Sequence, residues 1–296
     1  MPLKVGVLMG GPSDERDVSL KTGKAVADAC RMNGYTTREF QFKFNYSKLL
    51  DELKCQDIIF NALHGGIGEN GEIQTWLDKN SIPYTGSGAL SSALCMDKAK
   101  SKKVAQAQNI LTPKWELLSS DQDIPKMDCP FIIKPNDQGS TVGLKIVRDN
   151  NNIKNLLTEA FTHGDLIMVE EYIKGRELTV TIINGKSYPI IEIKPTHELY
   201  DYECKYIPGM TNYICPANIK DKISKNIRKD TELLFRELGC SIYGRADFIL
   251  DKESNYFFLE MNTLPGMTST SLVPKAVKAA GISFDSLIKN IIELSI

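Results

Sequence analysis

The sequence predicts an α/β fold built from more than one unit, and three observations carry that prediction. Apolar runs of strand length recur at residues 3–9, 57–62, 131–133 and 166–170, with helical stretches between several of them. The first run, LKVGVLM, ends in Gly10–Gly11–Pro12–Ser13 and leads into a helix over roughly 19–32, the strand–turn–helix opening of an α/β unit. A length of 296 residues is room for about two domains with sizeable cores.

Bulk composition narrows the class of function. With 42% hydrophobic and 25% charged residues the chain reads as soluble and globular. Its formal charge of −1 lends no support to a nucleic-acid or membrane partner. No stretch approaches the roughly 20 apolar residues of a membrane span. Residues 1–5 enter a strand at once, without the layout of a signal peptide. The 7 cysteines (30, 55, 95, 129, 204, 215 and 240) are odd in number, scattered and never Cys-x-x-Cys. They read as core thiols rather than a disulfide framework or zinc site, so the expected compartment is the cytosol.

In chain order, the first loop carries Glu15, Arg16 and Asp17 and lacks the Gly-x-Gly-x-x-Gly dinucleotide fingerprint. Two readings stand for it: a solvated charge run, or a carboxylate placed to hold a substrate ammonium. The second buried strand, 57–62, runs into Leu63–His64 and then four glycines within residues 65–71. His64 is either structural or, at the carboxyl end of a parallel strand, turned toward a ligand. A helix at about 72–79 and the turn Tyr84–Thr85–Gly86–Ser87–Gly88 complete a first unit that closes near residue 95.

A polar helix opens at Met96–Asp97–Lys98 and runs to about Gln108. Lys134 ends the strand over 131–133 and precedes Pro135–Asn136–Asp137–Gln138–Gly139–Ser140–Thr141–Val142–Gly143. Lys98 and Lys134 are the two lysines that stand out. A strand-end lysine before a Gly/Ser/Thr loop suits nucleotide phosphates, although no Walker A motif follows, and a plain hairpin turn is the rival. The strand over 166–170 continues into residues 171–177, and strands over 178–183 and 187–193 flank Asn184–Gly185, a strong hairpin turn. Residues 196–216 look irregular and aromatic, either a lid or a cover for the core. A long amphipathic helix (220–238) and two short ones (274–280 and 285–293) account for most of the rest.

The most informative stretch is 243–272. Residues 246–250 and 256–262 are β-rich runs joined by Asp251–Lys252–Glu253–Ser254–Asn255, so they read as an antiparallel hairpin. Asp247 lies near the start of one strand; Glu260 and Asn262 lie near the end of the other, on one face. Three hard oxygen ligands without Cys or His suit Mg²⁺, and an ordinary hairpin with polar ends is the alternative. Arg245 shares the face of Asp247, and the turn after Asn262 is rich in hydroxyls and backbone donors. Together these look like a place where phosphate is handled and an oxyanion forms.

The landmarks GGPSDERDVS (10–19), HGGIGENG (64–71), YTGSG (84–88), MDK (96–98), IKPNDQGSTVG (133–143), EEYIKGRE (170–177), YDYECKY (200–206), GRADF (244–248) and EMNTLPGMTSTSLVP (260–274) occur in one order. In this the sequence resembles the ATP-grasp carboxylate–amine ligases, and within them the D-alanine–D-alanine ligase family, along essentially its full length. The resemblance implies an ATP-grasp fold of three α/β subdomains, at 1–95, 96–180 and 181–296, with ATP between the central and C-terminal ones. It implies a reaction in which one D-alanine carboxylate attacks the γ-phosphate of ATP to form an acyl phosphate. The amine of a second D-alanine then displaces phosphate, yielding the dipeptide for peptidoglycan synthesis.

Site roles follow from the same resemblance. Glu15 binds the ammonium of the first D-alanine, with His64 nearby. Lys98, Lys134 and Lys205 surround the phosphates, and Ser140 belongs to the loop covering them. Glu170 and Glu177 hold adenine and ribose, with the backbone at Tyr172 and Ile173 against the adenine. Asp247, Glu260 and Asn262 bind two Mg²⁺, for which Mn²⁺ substitutes. Arg245 and the Gly266 amide form the oxyanion hole, and Ser271 with Leu272 meets the second substrate. Tyr206 closes the site through hydrogen bonds linking Ser140 and Glu15, and its phenol favours an amine nucleophile over D-lactate. A cytoplasmic homodimer is expected. Two departures stand out: Gln138 where relatives often carry Glu, which puts loop ordering and pH dependence in doubt, and Thr141 in place of a common Ser. A D-alanyl-D-lactate ligase and a non-catalytic nucleotide-binding module are the alternatives.

Overall fold

Three sheets organise the chain. In the computed structural model, which describes residues 1–207, 209–268 and 270–296 (the side chains of Asn150, Tyr202 and Tyr206 excepted), each sheet occupies its own stretch of sequence. The first is parallel and joins β1 (Lys4–Gly10), β2 (Thr36–Phe42) and β3 (Ile58–Asn61) in the order β2-β1-β3. Every residue of β1 after Lys4 is buried, as expected of an apolar parallel strand covered on both faces. Helices α1 (Arg16–Met32), α2 (Leu50–Leu53) and α3 (Glu72–Lys79) belong to this part, whereas α4 (Ala89–Met96) touches α3 but buries Cys95 in a second core with Leu178, Val180 and Phe235. Arg16 and Asp17 are thus the first turn of α1 rather than loop, and Arg16 ties that turn to the carbonyls of Gly11 and Phe42.

Helix α5 (Lys98–Ala107), N-capped by Asp97, leads to the second sheet. There β4 (Trp115–Leu118), β5 (Phe131–Pro135), β6 (Lys145–Val147) and β7 (Ile167–Glu171) lie antiparallel in the order β4-β7-β5-β6, with α6 (Ile153–Ala160) packed behind β5. The Gly/Ser/Thr segment after Lys134 is the connection between β5 and β6. The hairpin reading and the phosphate-loop reading therefore describe one structure.

The third sheet is antiparallel and is built from β8 (Gly175–Ile183), β9 (Lys186–Ser187), β10 (Ile191–Pro195), β11 (Thr211–Ile214), β12 (Tyr243–Asp251) and β13 (Tyr256–Asn262). Its order is β11-β10-β8-β12-β13, with β9 also on β8. Asn184 and Gly185 have φ of 49° and 70°, the left-handed pair a two-residue hairpin requires. The strand expected over 187–193 splits into β9 and β10, because Pro189 between them has no amide to give the ladder. Residues 196–216 are more ordered than expected: they hold helix α7 (Tyr202–Tyr206) and the short edge strand β11. The boundary expected at 180/181 cuts β8, whose partners β9, β10 and β12 all follow it; the chain changes sheets at Gly175.

After α8 (Asp221–Glu237) and the β12–β13 hairpin, α9 (Leu272–Ala279) and α10 (Phe284–Leu294) return to the first sheet. Val277, Leu287, Ile288 and Ile291 share a core with Val7, Val26 and Phe60, so the N-terminal unit is completed by the end of the chain. Among the described residues, no helix is long and apolar enough to cross a membrane.

Candidate active site

The hairpin of β12 and β13 sets the charge pattern of the cleft. Its register places Arg245 opposite Asn262 and Asp247 opposite Glu260, so four polar side chains share one face. A bulge follows Asp247. On the other side of β12, Thr179 of β8 lies opposite Asp247, and Glu177 is two residues before it on the same face. The Arg245 guanidinium grips Asp247 in a fork, Nε to Oδ1 at 2.9 Å and Nη2 to Oδ2 at 2.7 Å. Thr179 Oγ1 donates to Oδ1 at 2.6 Å and Asn262 Nδ2 to Oδ2 at 3.1 Å.

Lysines from three elements face this sheet. Lys98, at the start of α5, brings Nζ to 3.4 Å from Glu260 Oε2 and donates to the Gln138 carbonyl at 2.6 Å. Lys134, at the end of β5, donates to Glu170 Oε2 at 2.6 Å. Lys205, on α7, donates to Thr141 Oγ1 at 2.8 Å and lies 5.3 Å from the centre of the Tyr200 ring. Burial acts to raise the Glu260 carboxyl, but Lys98, Lys134, Lys205 and Arg245 together hold it down at about 2. Glu177 is pushed up to about 7 by burial and by the charge of Asp247. Burial holds the Lys205 ammonium below the usual lysine range. All three lysines, Glu177, Arg245, Asp247 and Glu260 line one cleft with residues 138–142.

The N-terminal unit supplies the other wall. Glu15 stands just before α1 and accepts a short hydrogen bond from Ser140 Oγ. A Cβ on Gly65, whose φ is +65°, would sit 2.8 Å from Glu15 Oε2, so the glycine loop passes directly over this carboxylate. Burial first, and then the charge of Glu69, raise the Glu15 carboxyl above its ordinary value. His64 is buried, with Nε2 3.0 Å from Thr22 Oγ1 and Nδ1 3.6 Å from Glu69 Oε1. Ser140 and Thr141 have φ of 51° and 64°, a strained conformation for side-chain-bearing residues held where two hydroxyls meet Glu15 and Lys205.

Other expected site residues lie off the cleft wall. Glu170 is buried, its two oxygens taken by Lys134 and Lys102; burial acts to raise its carboxyl, and the two lysines outweigh that and lower it. Tyr172 and Ile173 connect β7 to β8, and the Tyr172 hydroxyl donates to Glu198 at 3.2 Å. Gly266, Ser271 and Leu272 gather at the start of α9. There Ser271 Oγ accepts from the Thr268 amide at 3.1 Å, and Leu272 packs against Ile191, Ile193 and Ala276. Tyr206 ends α7, and its side chain lies outside the described residues. Two site residues escape the sequence reading, Thr179 and Lys102. Thr179 had a signal, since it follows Glu177 by two on a strand; Lys102 had none, because a lysine one turn past Lys98 on a polar helix reads as solvated.

Asp247, Glu260 and Asn262 fit a hard divalent cation in donor type and charge. Asp247 already accepts four hydrogen bonds, so a cation bound to it takes the place of at least one of those donors.

With that geometry in view, the relatives of the chain fall in one family. A family model described as D-ala D-ala ligase C-terminus matches residues 101–293. The D-alanine–D-alanine ligase of Pelotomaculum thermopropionicum is 41% identical over 100% of this chain and 97% of its own length. Among solved structures, the ATP-complexed D-alanine–D-alanine ligase of Bacillus anthracis superposes with a TM-score of 0.88 at 36% identity, covering 100% of this chain and 97% of that one. The VanG D-Ala:D-Ser ligase of Enterococcus faecalis gives 0.86 at 26% identity, with both chains covered completely. The fold is therefore ATP-grasp, and the chain belongs to the D-alanine–D-alanine ligase family.

Proposed function

We propose that this protein joins two D-alanines at the expense of ATP, forming D-alanyl-D-alanine, ADP and phosphate for peptidoglycan precursors. The observation that carries the reading is the cleft itself: Asp247 and Glu260 paired across a strand register, facing Lys98, Lys134 and Lys205. That arrangement suits a polyphosphate held by lysines on one side and, through divalent cations, by carboxylates on the other.

The first D-alanine lies against the N-terminal wall, its ammonium on Glu15 with His64 beside it. The three lysines hold the phosphates, and Ser140 and Thr141 place the covering loop. Adenine and ribose lie toward Glu170, the Tyr172–Ile173 backbone and Glu177. Positioning then makes the carboxylate a nucleophile toward the γ-phosphate, and the acyl phosphate turns a poor electrophile into a good one. Arg245 and the Gly266 amide stabilise the oxyanion formed when the second amine attacks, while Ser271 and Leu272 receive that substrate. Tyr206 closes the site over Glu15 and Ser140. Asp247, Glu260 and Asn262 would hold two Mg²⁺ (or Mn²⁺), which would supply positive charge against the phosphates. We read three units, the third starting at Gly175, in a cytoplasmic homodimer whose mass sedimentation would check.

The test is phosphate release from ATP and Mg²⁺ with D-alanine and with L-alanine, the product weighed by mass spectrometry. Release with D-alanine alone and a D-alanyl-D-alanine mass are expected. No release with either amino acid would overturn the substrate assignment; a D-alanyl-D-lactate or D-alanyl-D-serine product, with those acceptors present, would overturn the second-site assignment.

A further inference from the structure

Behind the cleft lies a lysine that reaches no solvent. Lys102 is fully buried on α5, one turn past Lys98. Its Nζ lies 2.6 Å from Glu170 Oε1, 2.7 Å from Thr112 Oγ1 and 3.4 Å from the Phe258 carbonyl. Thr112 Oγ1 in turn donates to the same carbonyl at 2.9 Å. Lys102 thus pairs by charge with Glu170 on β7 and donates to the segment after α5 and to β13, and it does not line the cleft. Lys134 differs: it holds the other oxygen of Glu170 at 2.6 Å, yet its side chain lines the cleft.

The charge count decides what this arrangement does. Two lysines face one carboxylate, an excess of one positive charge. With only Lys134 present, Glu170 and Lys134 would form a closed neutral pair. Pulling Lys134 from it would leave a buried carboxylate uncompensated, which is strongly unfavourable. With Lys102 in place, Glu170 stays neutralised when Lys134 turns toward an incoming polyphosphate. We infer that Lys102 is a positioning residue for the ligase reaction: it is the resident counter-ion of Glu170 and so releases Lys134 to the nucleotide phosphates. The inference rests on the reading of Lys134 as a phosphate ligand.

The test uses the full-length protein as Lys102→Met, Glu170→Gln, Lys102→Met/Glu170→Gln and Lys134→Met. ADP affinity is measured by calorimetry, KM is measured separately for ATP and D-alanine, and folding is followed by circular dichroism. Methionine keeps the buried stem and removes the charge. Lys102→Met is expected to weaken ADP about tenfold or more and to raise KM for ATP in proportion, with KM for D-alanine within about twofold. Adding Glu170→Gln removes the carboxylate that captures Lys134, so the double variant should bind ADP within about twofold of Glu170→Gln alone, a comparison in which any loss of the adenine contact of Glu170 cancels. Unchanged ADP affinity in folded Lys102→Met would overturn the inference, as would an equal loss toward both substrates that recurs when Lys102→Met is added to Glu170→Gln. Should Lys102→Met not fold, the double variant decides alone: ADP affinity near that of Glu170→Gln supports the role, and affinity about tenfold weaker than that of Glu170→Gln overturns it. Undiminished ADP binding in Lys134→Met is a different failure, that of the phosphate assignment on which the inference stands.

Discussion

The two walls of the cleft are made in different ways. On the sheet side, Arg245, Asp247, Glu260 and Asn262 stand on adjacent strands, and one register fixes all four. On the loop side, Glu15 meets Ser140 from 125 residues away and Lys205 meets Thr141 from 64 residues away, each through a single side-chain hydrogen bond. A hairpin register is held by a ladder of backbone bonds, whereas one side-chain hydrogen bond nets about 1 kcal/mol. The sheet wall is thus a fixed charge pattern, and the loop wall is a set of closures that substrates can make and break. Losses on the sheet wall should be large and specific to chemistry; losses on the loop wall should be smaller and show in substrate affinity.

Glu260→Ala is the sharpest way to break that comparison. It removes the carboxylate that four cations surround, and ADP formation should fall by about 10³-fold or more with the fold intact by circular dichroism. Unaltered metal-dependent ADP production would sink the metal assignment. Arg245→Met comes next. It strips Asp247 of two of its four hydrogen bonds and removes the guanidinium proposed for the oxyanion, so kcat should fall by about 10²–10³-fold while KM for ATP moves less. A change confined to KM would move Arg245 out of the oxyanion role.

Ser140→Ala probes the loop wall. It removes the bond to Glu15, and kcat/KM for D-alanine should fall by about tenfold, with little change in Tm because the loop connects β5 to β6 without joining a core. A loss as large as that of Glu260→Ala would erase the distinction between the walls.

Which parts were legible in the sequence follows the same division. The hairpin face was readable because strand alternation and an antiparallel turn are local rules, and Asp247 opposite Glu260 is what they imply. The loop contacts were not readable from local rules: nothing in spacing brings Glu15 to Ser140, and only the family resemblance pointed there. The 187–193 strand failed at Pro189, whose missing amide should have been weighed. The 180/181 boundary falls inside β8: β7 and β8 run on through Tyr172–Lys174 with no composition break, although the chain changes sheets there. Lys102 was hidden for a different reason. A lysine on a polar helix looks solvated, and only tertiary packing shows that it ends on Glu170.

The mildest prediction concerns pH and belongs to the loop wall. Glu15 holds a substrate ammonium only as a carboxylate. Burial and the charge of Glu69 raise its carboxyl, while Ser140, His64 and Lys205 work the other way. As pH falls through that raised value Glu15 takes up a proton, so the acid limb of kcat/KM for D-alanine should lie above the position of an ordinary glutamate. Glu69→Gln removes the like charge and keeps an oxygen to accept from the Gly65 amide, 3.0 Å away. The limb should then move to lower pH but stay above the position of an ordinary glutamate, because burial, the larger cause, is unchanged. A limb that stays in place would separate Glu15 from the ammonium. A limb that moves upward would mean that the link from Glu69 to His64, at 3.6 Å, matters more than its repulsion of Glu15.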